Sequence, residues 1–65
     1  MRIRYFEDTD TLLIELKDIP AAETRDLDED TAVDLDAEGN VCAITLEHAS
    51  QRTALSQFSY ERVAA

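Results

Sequence analysis

The sequence predicts a β-rich α+β fold, namely an antiparallel β-meander of about five strands with a short helix near residues 48–54 and a C-terminal strand. Two segments, 1–17 and 31–47, alternate apolar and polar residues with period two, which is typical of half-buried strands. Each segment is interrupted once by a polar turn, so each predicts a hairpin. The chain has 65 residues and no linker-like or repetitive stretch, so we expect a single domain, 1–65.

The register of the first hairpin follows from its apolar face. The apolar residues all meet one another when the pairs are Tyr5–Leu12, Ile3–Ile14 and Met1–Leu16. A slip of one residue would turn one strand inside out. The connecting turn contains Asp8 and Asp10, whose carboxylates we expect to accept hydrogen bonds from the backbone of that turn.

The second hairpin surrounds the acidic turn at residues 37–40. Its apolar faces coincide when the pairs are Leu35–Cys42, Val33–Ile44 and Thr31–Leu46. Gly39 supplies the positive φ that the turn requires. A register with Gly39 and Asn40 as the turn also matches the faces and stays open as an alternative. Either way, Cys42 is predicted to be a small core residue rather than a nucleophile.

The remaining segments give weaker patterns. Pro20 interrupts the continuation of the second strand, and residues 22–27 predict an edge strand with Leu27 pointing inward. The C-terminal residues 48–65 fit two interpretations. We favour a short helix followed by a strand at 57–63, where Phe58 and Tyr60 have high β-propensity. The alternative is one helix over residues 50–63 with a narrow apolar stripe.

The stretch DLDAEGNV, residues 34–41, resembles the first half of a calcium-binding loop. Asp34, Asp36 and Glu38 would occupy loop positions one, three and five. Position twelve, however, should be a bidentate Glu and is Thr45, and the flanks are strands rather than helices. The stretch therefore predicts a hairpin turn, and we expect no metal site and no cofactor.

One enzymatic alternative stays open, a small metal-dependent factor that uses the acidic stretch 26–36 together with His48. The stretch would attract divalent cations loosely through six carboxylates: Asp26, Asp28, Glu29, Asp30, Asp34 and Asp36. No His or Cys lies within it to select a transition metal. No Ser, Cys or carboxylate motif gives His48, the single histidine, a catalytic role. We therefore expect no catalytic residue and no enzymatic activity.

The charge balance bears on partners and location. Fifteen Asp and Glu against six Lys and Arg give a formal net charge of −9. Such a field repels polyanions, so nucleic acid and anionic membranes are excluded as partners, whereas a basic protein would be attracted. The excess of acidic residues also has an explanation that involves no partner, because charged side chains keep exposed strand edges from aggregating. The N-terminal residues are charged where a signal peptide needs an apolar run, so we expect a cytoplasmic protein.

Small size predicts self-association. A core of this size supplies about 3–5 kcal/mol of net stability without a staple. A single cysteine forms no internal disulfide, and the chain has no zinc-ligand spacing. Oligomerisation is the remaining common route to stability, so we expect a homodimer or an obligate partner.

The order of these motifs resembles a small bacterial family, domain of unknown function 2283, also called YuzE-like. The resemblance covers residues 1–52 and rests on Tyr5, Asp10, Leu12, Ile14, Leu16, Glu23, Thr24, Asp34, Asp36, Gly39, Ile44, Leu46, Ala49 and Ser50. The chain departs from the family at Phe6 and His48, where acidic residues are common. The resemblance implies a compact α+β domain without an established activity, and as a functional lead it implies an antitoxin partner for a small basic RelE-like protein.

Overall fold

The computed structural model describes residues 1–64. It contains five strands and one short helix: β1 (Arg2–Phe6), β2 (Thr11–Glu15), β3 (Glu23–Asp28), β4 (Thr31–Leu35), β5 (Val41–Glu47) and α1 (Ala49–Arg52). The strands form one antiparallel sheet in the order β1-β2-β5-β4-β3. The predicted fold class is therefore confirmed, including both hairpins and the helix near residue 48. Within residues 1–64, no helix is long and apolar enough to cross a membrane.

The first hairpin has the predicted register. Tyr5 lies opposite Leu12, and Ile3 lies opposite Ile14. The turn ends at Asp10, which has a left-handed backbone with φ 55°. Asp is one of the few residues besides Gly that adopts this conformation readily, because its short polar side chain can bond locally.

The sheet is completed by pairing β2 with β5 rather than with β3. Leu12 lies opposite Leu46, and Ile14 lies opposite Ile44. The pairing continues the apolar rows of the first hairpin across a third strand. The resulting side of the sheet, here called the apolar face, carries Ile3, Tyr5, Leu12, Ile14, Ile44 and Leu46.

The second hairpin contains a β-bulge at Cys42. The predicted pairs Val33–Ile44 and Thr31–Leu46 are confirmed. The predicted pair of Leu35 with Cys42 is wrong, because Leu35 pairs with Val41 and the register shifts between Asp34 and Leu35. Cys42 is the extra, unpaired residue of β5 at this bulge. The turn is therefore one residue shorter than predicted, while Ile44 stays on the predicted face of the sheet. Gly39 has the expected positive φ, 85°.

The bulge turns Cys42 away from the apolar face. Its thiol donates a hydrogen bond to the Asp34 carbonyl at 3.4 Å. On that opposite side, the linker 16–22 passes beside Cys42 and Ala43 on its way from β2 to β3. The Leu16 amide donates to the Cys42 carbonyl at 2.9 Å, and Cys42 is almost fully buried. The prediction that Cys42 is a small core residue is therefore confirmed.

Strand β3 lies at an edge of the sheet, as predicted, but Leu27 does not point inward. The pairing of β3 with β4 is interrupted between Asp26 and Asp28, so Leu27 is the unpaired residue of a second bulge. Its side chain is 63% exposed. A bulge reverses the alternation on which the inward assignment of Leu27 rested.

The predicted C-terminal strand is not formed. Residues 53–64, here called the tail, contain neither strand nor helix, and the alternative helix over 50–63 ends at Arg52. The Gln57 amide donates to the Ala54 carbonyl, which forms a local turn instead of a ladder. The tail lies against the apolar face, where Leu55 and Phe58 contribute to a groove. Its apolar residues thus approach a sheet face rather than a sheet edge.

Candidate functional site

The apolar face of the sheet is partly covered by the tail and partly exposed to solvent. A groove of about 590 Å³ lies between this face and the first half of the tail. Its floor consists of Ile3, Tyr5, Leu12, Ile14 and Leu46. Ile3 and Tyr5 remain 39% and 38% exposed, so the tail covers the face only in part. Large apolar side chains that stay in water together mark an interaction surface.

The shape of the molecule agrees with an uncovered face. The chain measures 36 × 33 × 18 Å, so it is a slab with one sheet. Its radius of gyration is 13.0 Å, whereas a compact domain of this length has about 11 Å. The chain exposes 5201 Å², against about 4200 Å² for a compact monomer of this size. Both the apolar face and the exposed tail contribute to this excess of about 1000 Å², which is comparable to the roughly 800 Å² that each partner buries in a standard interface.

The opposite face of the first hairpin is polar. The Glu15 carboxylate forms ion pairs with Arg2 at 3.0 Å and with Arg4 at 2.9 Å. The Arg4 guanidinium also lies 5.4 Å from the centre of the Phe6 ring. Hydrogen bonds from the Arg2 side chain lower the pKa of Glu15. The two faces of the same strands thus differ sharply in polarity.

The first turn is joined to α1 by a cluster of hydrogen bonds, here called the Asp10 latch and made of Tyr5, Asp10, Ala49 and Ser50. The Tyr5 hydroxyl donates to Asp10 Oδ1 at 2.6 Å. The Ser50 amide donates to the same oxygen at 3.0 Å, and the Ser50 hydroxyl donates to Oδ2 at 2.7 Å. The Ala49 amide donates to the Asp10 carbonyl at 3.0 Å. Asp10 therefore caps the start of a helix that receives no side-chain cap from His48.

The latch corrects the sequence prediction for Asp10, whose carboxylate bonds α1 rather than its own turn. It also determines the chemistry available there. Hydrogen bonds from Tyr5, and then from Ser50, lower the pKa of Asp10. The bond to Asp10 raises the pKa of Tyr5. A carboxylate of lowered pKa that already accepts three hydrogen bonds is a weak base for activating the Ser50 hydroxyl, so the latch is suited to holding α1 in place.

The lowered pKa of Asp10 predicts how the latch responds to acid. Its carboxylate contributes stability above its ordinary pKa, about 3.9, and that contribution is lost as the pH falls through the lowered value. Asp10→Asn keeps a residue that tolerates positive φ but removes the charge. We expect the variant to melt several degrees below the native protein at pH 7, and the gap to close below about pH 4. Thermal melts by circular dichroism from pH 2 to 7 measure this.

Asp8→Asn is the matched control, because Asp8 is an exposed carboxylate in the same turn. It should melt within a degree or two of the native protein at every pH. A melting-temperature gap for Asp10→Asn that stays constant from pH 7 to pH 2 would contradict the role assigned to the Asp10 charge.

A second set of contacts holds the other side of α1. The Arg52 guanidinium donates to the Asp30 carbonyl and to the Thr31 hydroxyl, both at 2.7 Å. His48 has a left-handed backbone with φ 55°, and its Nδ1 lies 2.9 Å from the Asp30 carboxylate. A His–Asp pair is the orienting half of a catalytic triad. Among residues 1–64, no hydroxyl or thiol is hydrogen-bonded to the other ring nitrogen of His48.

The acidic stretch 26–36 does not converge on one point. Asp34 accepts a hydrogen bond from the Thr24 hydroxyl at 2.7 Å. Asp36 is buried, and its Oδ1 accepts hydrogen bonds from the amides of Glu38 and Asn40 at 3.0 and 2.9 Å. These amide bonds, chiefly that from Asn40, lower the pKa of Asp36. In the described part of the chain, no three His, Cys, Asp or Glu residues are arranged to hold a metal ion.

Residue patterns along the chain did not indicate either set of contacts around α1. Asp10 and Ser50 are forty positions apart and show no local periodicity, although both belong to the family pattern that the sequence resembles. Arg52 and Asp30 carried no such signal. The family pattern itself was therefore the one available indication that Tyr5, Asp10 and Ser50 act together.

Comparison with known proteins gives one match. A family model described as "Protein of unknown function (DUF2283)" matches residues 2–50, which include all five strands and the first half of α1. Neither the curated proteins nor the solved structures gave a significant match. The match supports the DUF2283 part of the resemblance and does not extend to the YuzE-like label.

Proposed function

The chain belongs to the DUF2283 family, whose function is unknown, and from that premise we propose that it is a non-enzymatic protein-binding module that self-associates. Two copies pack their apolar faces against each other. The observation that carries this proposal is the half-exposed apolar face, where Ile3 and Tyr5 stay in water although they belong to continuous apolar rows.

The energetics support a homodimer. The buried apolar side chains of the described residues are few: Val33, Leu35, Cys42, Ala43 and Ala49. Burial of apolar surface contributes about 25 cal/mol per Å². Packing the apolar face against a second copy therefore adds substantially to the stability that so small a core provides. The first half of the tail covers the face only in part, so a second copy can pack onto the apolar side chains that stay exposed. Self-association thus supplies the stability for which the chain has no disulfide.

Sedimentation equilibrium of the full chain tests this proposal. We expect the mass of a dimer at micromolar concentration and a melting temperature that rises with protein concentration, because the folded dimer is linked to mass action. A monomer with a concentration-independent melting temperature up to the millimolar range would overturn the proposal.

A second candidate function is recognition of a small basic protein, as the antitoxin in a toxin–antitoxin pair. The observation that favours it is the formal charge of −9, together with intramolecular ion pairs that occupy several of the arginine side chains. Arg2 and Arg4 pair with Glu15, and Arg25 pairs with Glu23 at 3.1 Å. The surplus carboxylates are left to steer a cationic partner. The free buried thiol of Cys42 suits the reducing cytoplasm in which we expect this pairing.

Native mass spectrometry of the chain with the protein encoded by the neighbouring gene tests the second candidate. We expect a complex at low salt whose association rate falls steeply as salt is added, because exposed charges are screened within about 10 Å at 0.1 M. Absence of any complex at low salt would contradict it.

A further inference from the structure

The tail carries large apolar side chains that its own chain leaves in water. Phe58, Tyr60 and Val63 are 69%, 71% and 79% exposed, more than most apolar side chains of the sheet. Residues 54–63 are confined by one backbone hydrogen bond, from the Gln57 amide to the Ala54 carbonyl. Three exposed apolar side chains within six residues are costly for a segment that serves only as a chain end.

Only the first half of the tail lines the groove on the apolar face. Thr53, Ala54, Leu55, Gln57 and Phe58 line it, whereas Tyr60 and Val63 do not. Phe58 marks the point at which the tail leaves the groove of its own chain. Beyond that point, the apolar side chains have a complementary surface in a second copy, which presents the same half-covered groove.

The tail is long enough to reach that second groove. Residues 58–63 span at most about 17 Å when extended. The first half of each tail already lies on the apolar face, so the second copy packs onto that tail, and stacked layers lie about 10 Å apart. Contacts in a two-fold dimer are reciprocal, so a tail that enters the groove of its partner implies that the partner's tail does the same.

We propose that residues 59–63 of one copy dock into the groove on the apolar face of a second copy, where Tyr60 and Val63 pack against Leu12 and Ile14. This inference rests on the proposed self-association and names the segment that completes the interface. The part of the excess surface that the tail exposes is then buried in the dimer, and each groove is closed by tail residues from both copies.

The test uses the full chain and a full-length variant with Tyr60 and Val63 both replaced by alanine. These residues lie outside the sheet and α1, so circular dichroism should show the variant folded. We expect its dimer dissociation constant, measured by sedimentation equilibrium, to rise at least about tenfold. The matched control is Phe6→Ala, which removes an exposed aromatic ring from the opposite face and should leave the constant within about twofold of the native value.

Nuclear Overhauser spectra of a mixed dimer, with one copy isotope-labelled and the other unlabelled, give the second readout. We expect contacts between the Tyr60 ring of one copy and the methyl groups of Leu12 and Ile14 of the other. A dimer of native affinity in the tail variant, or ring contacts confined to one copy, would overturn the tail exchange and leave self-association standing. A full chain that never dimerises would overturn both.

Discussion

Replacement of Leu35 by alanine is expected to leave a large fraction of the chain unfolded at room temperature. Leu35 is 7% exposed and is one of the two large aliphatic side chains that are buried in the described chain, with Val33. Truncation of a buried leucine to alanine costs about 2–5 kcal/mol. A core of this size provides about 3–5 kcal/mol of net stability, so the variant retains almost none. Urea unfolding at fixed protein concentration, followed by circular dichroism, measures the loss.

Leu27→Ala is the matched control, since it makes the same chemical change in a side chain that is 63% exposed. It should change the free energy of unfolding by no more than about 0.5 kcal/mol. Equal losses in the two variants would mean that Leu27 packs inward and that the bulge in β3 is wrongly placed.

Replacement of Ile3 by aspartate is expected to convert the proposed dimer to monomer. Ile3 lies on the apolar face in an edge strand, and its side chain is 39% exposed in a single copy. A charge buried there costs at least the 2 kcal/mol of a typical interface hot spot, and a two-fold dimer contains the substitution twice. About 4 kcal/mol corresponds to a rise of about a thousandfold in the dissociation constant. Sedimentation equilibrium over a wide concentration range measures it.

Phe6→Asp provides the comparison that isolates the face. Phe6 belongs to the same strand, is 40% exposed, and lies on the opposite face because it pairs with Thr11. We expect its dissociation constant to stay within a few-fold of the native one. Dissociation of the dimer by Phe6→Asp but not by Ile3→Asp would assign the interface to the polar face instead.

The stability of the monomer and that of the dimer are linked in these variants. Only folded chains associate, so the free energy of dimerisation adds to the apparent free energy of unfolding at a given protein concentration. Ile3→Asp should therefore lower the melting temperature at high protein concentration more than at low concentration. Leu35→Ala lowers it at every concentration, so the two effects can be separated.

The latch gives the family pattern a structural meaning. Tyr5, Asp10, Ala49 and Ser50 are the residues that fix α1 to the first turn, and Ala49 is fully buried where the two meet. A helix of four residues cannot persist by itself, since helix nucleation is unfavourable. The residues of the resemblance that form the latch therefore join the hairpin and the helix of this chain, and the apolar face beside them carries the proposed function.

Local alternation was sufficient to predict the four strands of the two hairpins and the register of the first hairpin. The pairs Ile3–Ile14 and Tyr5–Leu12 follow from requiring two apolar faces to coincide, because a slip of one residue exposes them all. The bulge at Cys42 escaped this reasoning. One extra residue changes the face of a strand midway, and several loop lengths satisfy the same apolar pattern.

What the sequence by itself determined is the class of fold, both hairpins, the buried character of Cys42 and the lack of a pattern typical of a catalytic or calcium site. These depend on periodicity and composition, which are local. Only the tertiary structure decided that β2 pairs with β5, that Asp10 caps a helix forty residues away, and that the tail lies over the apolar face instead of forming a strand. Such contacts join segments distant in the chain, and their partners are selected by the burial of complementary surfaces, which no single segment encodes.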